Sequence, residues 1–75
     1  MEINTARNIE MKDWFTNGTA INAGFHFSRY IAKQYIESAR VASLMLLRKG
    51  FFKTQEERKD AYNKAVEKIN SMILK

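Results

Sequence analysis

Residues 48–57, Arg48-Lys49-Gly50-Phe51-Phe52-Lys53-Thr54-Gln55-Glu56-Glu57, hold a helix stop and a helix start side by side. Gly50 is suited to the left-handed residue that follows a helix, and Arg48 and Lys49 complement the negative end that precedes it. Thr54 and Glu57 stand in the T-x-x-E spacing of a capping box, and Glu56, Glu57 and Asp60 gather at the positive end of the helix so begun. The connection is short, about four residues, so the stretch predicts that the two helices lie antiparallel as an αα-hairpin.

Downstream, Ala61, Tyr62, Ala65, Val66, Ile69, Met72 and Ile73 recur at helical spacing and form a single apolar stripe. Upstream, the pattern predicts a helix that begins between Thr19 and Phe25 and ends at Lys49. At about 25 residues it would be about 40 Å long. An earlier helix is expected from about Thr5 to Thr16, with Thr5 as N-cap and Asn17-Gly18 as its stop. Its apolar residues, Ile3, Ala6, Ile9, Met11, Trp14 and Phe15, cover a broad side rather than a stripe. Proline is absent and glycine occurs only at Gly18, Gly24 and Gly50. The expected fold is therefore all-α: one domain, residues 1–75, a small three-helix bundle with a long central helix.

A chain of 75 residues is close to the size at which one core barely suffices. No cysteine is present to form a disulfide, and the single histidine, His26, has no acidic residues spaced around it as metal ligands. Neither a structural metal nor any other cofactor is expected. Self-association, most simply as a homodimer, or a larger partner is the remaining way to complete the fold. The polar N-terminal residues lack the apolar segment of a secretory signal, and the uncharged run Val41–Leu47 is far too short to span a membrane. A cytoplasmic location is the expectation.

Charge is concentrated. Between Thr19 and Lys53 the basic residues are Arg29, Lys33, Arg40, Arg48, Lys49 and Lys53 against the one acid Glu37, so this segment carries the whole net charge of +5. At about 100° per residue, Arg29, Lys33 and Arg40 fall within about 40° of one another. Leu44 and Leu47 continue that ridge, while Tyr35, Ala42 and Leu46 lie on roughly the opposite side. One neighbouring helix cannot bury both sides. Either the first helix and Phe51-Phe52 fold back over Leu44 and Leu47, or a second chain covers them.

Catalysis finds little support. His26 has no cysteine or serine arranged around it as nucleophile, and the acids at the start of the last helix are explained by its dipole. No phosphate-binding loop, dinucleotide fingerprint, calcium loop or zinc-protease motif occurs. A non-enzymatic binding module is expected, and two partners suit its ridge. Protein is the preferred one: Arg29, Lys33, Arg40, Leu44, Leu47, Arg48, Phe51 and Phe52 mix arginine, aromatic and aliphatic side chains as interface hot spots do. Such a chain would block or adapt a larger machine, a role that small Asn-, Lys- and Ile-rich accessory proteins of phages and mobile elements would fit. Nucleic acid is the alternative, with Arg29, Lys33 and Arg40 on phosphates and His26 and Tyr30 stacking or hydrogen-bonding beside them. A membrane surface fits less well, because the apolar residues of the central helix do not form one clean face.

Gly24-Phe25-His26-Phe27-Ser28-Arg29-Tyr30-Ile31 is faintly similar in wording to the recognition region of the arabinose-regulator family. It lacks the residues which that family places between Gly-Phe and Phe-Ser-Arg, and no second helix-turn-helix follows, so membership is not inferred.

Overall fold

The computed structural model describes residues 5–18 and 27–73. They form three α-helices, α1 (Thr5–Asn17), α2 (Arg29–Arg48) and α3 (Gln55–Ser71), joined into a small all-α bundle. Ile3, Gly24 and His26 lie outside the described residues.

The helix ends follow from local chemistry. After α2, Gly50 takes φ +88°. Its N–H donates to the Leu47 carbonyl (3.1 Å) and that of Phe51 to the Leu46 carbonyl (2.9 Å), the paired bonds of a Schellman turn. The Thr54 hydroxyl then accepts from the Glu57 N–H (3.1 Å). The Glu57 carboxylate reaches back to the N–H of Lys53 (2.8 Å), one residue beyond the partner of an ordinary capping box. At the end of α1, Gly18 takes φ +69° and its N–H donates to the Trp14 carbonyl (3.0 Å).

The start of α2 differs from the expectation. It begins at Arg29, capped by Ser28, whose hydroxyl accepts from the Ile31 N–H (3.2 Å), and not between Thr19 and Phe25. The cause is tertiary. The Phe27 N–H donates to the Met72 carbonyl at the end of α3 (2.9 Å), and the Phe27 ring is buried against Tyr35, 4.7 Å between centroids. Extended backbone at Phe27 makes both contacts, which excludes it from the helix. With 20 residues, α2 is about 30 Å long rather than about 40 Å.

α2 is the middle element. It packs against both α1 and α3, which touch each other only marginally. Its buried residues are small apart from one leucine: Ala32, Ser38, Ala39, Ala42, Ser43 and Leu46. Small side chains let both neighbours approach closely, so the core is built from Met11 of α1, Phe27, these alanines, and Ala65 and Ile69 of α3. The remaining members of the predicted α3 stripe, Ala61, Tyr62, Val66, Met72 and Ile73, are half-buried around it.

α1 has neither an amphipathic pattern nor charges that favour its ends, so its contacts with α2 hold it. The Tyr35 hydroxyl donates to the Glu10 carboxylate (2.7 Å), Arg7 donates to the Gln34 side chain, and the Arg7 guanidinium stands 5.3 Å above the Tyr35 ring. Burial, then the hydrogen bond and charge of Glu10, push the Tyr35 phenol above its ordinary pKa, against the opposing pull of Arg7.

Candidate partner-binding surface

The C-terminal half of α2 turns Arg40, Leu44 and Arg48 away from the core, and all three are exposed. Leu44 keeps 38% of its surface in water, and Met45 and Phe51 keep 39% and 45%. Among the described residues, Leu44 is thus left partly open to water. α1 and α3 both settle on the small-residue side of α2, because only there can helices approach closely, and Leu44 is left outside. Leu47 is half-buried.

Phe52 requires a correction. It was expected on the binding surface, but it is 6% exposed and its ring stands edge-on to Phe15 of α1, 5.9 Å between centroids at 82°. Phe51 remains outside and meets Phe52 edge-on at 5.0 Å. The Schellman turn directs the two consecutive rings differently, one into the chain as an anchor for α1 and one into solvent.

Arg29 and Lys33 are exposed on the first half of α2, and Tyr30 between them is 70% exposed. Arg40 is further along and is engaged on its own helix. Its Nε donates to the Glu37 carboxylate at 3.1 Å, and a second guanidinium nitrogen bonds the other oxygen. That hydrogen bonding holds the Glu37 carboxyl below its ordinary pKa and raises that of Arg40. The ridge is therefore real in space as three exposed cations, but one of them already has an acid.

A groove of about 440 Å³ opens beside Arg40 and Leu44, and α3 supplies its other wall with Arg58, Lys59, Tyr62 and Asn63. Arg58 is the unexpected member. It is 9% exposed, its Nε donates to the Gln55 side-chain oxygen (2.6 Å), and its Nη1 donates to Ser43 Oγ (3.2 Å). Ser43 Oγ donates in turn to the Arg40 carbonyl (2.8 Å). Among the described residues no carboxylate forms an ion pair with Arg58; the ion pairs found are Arg40–Glu37 and Lys64–Asp60. The wall from α3 was missed because its charges cancel when summed along the chain: Arg58 and Lys59 sit among Glu56, Glu57 and Asp60. A readable signal existed, since Arg58 precedes Ala61, Tyr62 and Ala65 by three, four and seven residues and so falls on the apolar stripe.

A smaller groove of about 240 Å³ is lined by Trp14, Phe15, Gly18, Ala61 and Lys64, where α1 and α3 diverge. Among the described residues no group of histidine, cysteine, aspartate or glutamate is placed to hold a metal ion, and no helix is long and apolar enough to cross a membrane. No protein-family model, curated protein or solved structure matches the chain, so its function has to be argued from these side chains.

Proposed function

We propose that the chain is a non-enzymatic module that binds a larger protein partner and modulates or inhibits it through the C-terminal half of α2 and the turn after it. The observation that carries this reading is the exposure of Leu44, Met45 and Phe51 beside Arg40 and Arg48. Aliphatic and aromatic surface framed by arginine suits a protein interface, where the guanidinium adds paired hydrogen bonds to a partner's carboxylates. Two acids of α3 have structural roles, Glu57 with the Lys53 N–H and Asp60 with Lys64 (3.3 Å), which supports a non-catalytic reading.

Two structural features belong to the same reading. The α2–α3 pair is taken as an antiparallel hairpin, supported by the short turn at one end and the Phe27–Met72 hydrogen bond at the other. The chain is also taken to self-associate, since Leu44, Met45 and Phe51 offer apolar surface that a second copy would bury. Nucleic acid remains the second reading. It is favoured by the 70% exposure of Tyr30 between the exposed Arg29 and Lys33, an aromatic available for stacking beside phosphate-binding cations.

Capture from nuclease-treated lysate separates the two. The full chain is expected to retain a protein after nuclease treatment, and a Leu44→Ala/Phe51→Ala variant with an unchanged circular dichroism spectrum is expected to lose it. Recovery of nucleic acid alone from untreated lysate, or undiminished capture by that variant, would overturn the protein-binding reading.

A further inference from the structure

We propose that the groove between α2 and α3 is a subsite for a carboxylate of the partner, presented by an Asp or Glu that stands next to an apolar residue. The inference rests on the protein-binding reading and specifies its chemistry. The groove combines three cations, Arg40, Arg58 and Lys59, with an apolar wall from Leu44 and Tyr62. Among the described residues, only Arg40 of these three has an acid, Glu37.

Arg58 is the decisive residue. As a residue Arg58 is nine-tenths buried, and its guanidinium is held by neutral acceptors on Gln55 and Ser43 rather than by a carboxylate. Those two contacts use one N–H each at Nε and Nη1, leaving three of its five donors for a ligand. They also fix the plane of the fork, so an incoming carboxylate meets a donor pair whose orientation is already set. Asn63 adds an amide donor to the same wall.

A peptide carboxylate fits better than a phosphodiester chain. Phosphate tracking uses a row of exposed, mobile cations, each neutralising one charge along the strand. Here one cation is immobilised within the chain and the opposite wall is leucine, so a single compact anion is accepted with an apolar neighbour beside it. At about 440 Å³ the open groove has room for one carboxylate and an adjoining side chain. Leu44 belongs both to the groove and to the exposed apolar surface, which makes the two continuous.

The test uses the full, isotope-labelled chain in solution with three probes: the blocked peptides acetyl-Leu-Glu-Glu-Leu-amide and acetyl-Leu-Gln-Gln-Leu-amide, and inorganic phosphate. The Glu peptide is expected to cause saturable shifts of the Arg58 Nε–H and the Asn63 side-chain amide, with the Gln peptide weaker by about ten-fold or more. Arg40→Gln/Lys59→Gln, two exposed positions, is expected to weaken the Glu peptide by about ten-fold, and Arg29→Gln/Lys33→Gln to leave it within about two-fold. Equal response to both peptides, tighter binding of phosphate at these signals, or shifts centred on Arg29 and Lys33 would each overturn the subsite. Partner capture distinguishes the two levels of the proposal. Loss in Leu44→Ala/Phe51→Ala but not in Arg40→Gln/Lys59→Gln would remove the subsite and leave protein binding standing. Capture insensitive to both would place the interface elsewhere on the chain and overturn the proposed surface, and the peptide titration would still decide the groove.

Discussion

Gly50 and Arg58 are single residues whose neighbours explain them in opposite ways. Gly50 serves the fold: a Cβ there would meet nothing within 4 Å, but φ +88° is a conformation that L side chains resist. Gly50→Ala is therefore expected to cost about 1–2 kcal/mol, seen as a lower midpoint in thermal or denaturant unfolding. Arg58 serves the fold only through two hydrogen bonds to neutral partners, Gln55 and Ser43. Arg58→Met removes both and is expected to cost about 1 kcal/mol in equilibrium unfolding while abolishing the response to the Glu peptide. A large fall in midpoint would make Arg58 a structural residue instead. The two also differ in legibility: Gly50 is read from its immediate sequence, whereas Arg58 acquires its meaning from Ser43, 15 positions away on another helix.

At the scale of elements, what was legible was what is local. The stop at Gly50 and the start at Thr54 were readable because their hydrogen bonds join residues within five positions of each other. Thr54→Ala, which removes the acceptor for the Glu57 N–H, is expected to cost about 1 kcal/mol in equilibrium unfolding. The start of α2 has a local part, the Ser28 cap on the Ile31 N–H, and a non-local part, the Phe27–Met72 hydrogen bond, and only the second is hidden from the sequence. Phe51 and Phe52 could not be told apart for the same reason, since Phe15 decides between them.

The α1–α2 contact also has a pH dependence. Tyr35 is held protonated in the fold above its ordinary pKa of 10.0, so its contribution is fully present below that value and is lost as pH rises through the raised one. The chain is expected to lose stability between neutral pH and about pH 11 by more than a Tyr35→Phe variant does, a difference that cancels the common effect of lysine titration. Equal losses in denaturant titrations at the two pH values would show that the phenol does not couple to the α1 contact.

For the whole molecule, the alanine-rich middle helix has two consequences. It lets α1 and α3 pack closely on one side, and it leaves a thin core whose central helix keeps its other side, with Leu44, in water. A core of this kind uses little of its apolar sequence for its own stability, and the remainder is available to a partner or a second copy. The most direct measurement is an alanine scan of affinity for the captured partner, with each variant's fold checked by circular dichroism. Leu44→Ala and Phe51→Ala are expected to weaken binding by about 2 kcal/mol each, roughly 30-fold, while Arg29→Ala and Lys33→Ala mainly slow association. Neutral effects at Leu44 and Phe51, together with equal losses at Arg29, Lys33 and Arg40 and a salt dependence that falls by about one unit of slope per residue, would contradict the account in favour of nucleic acid.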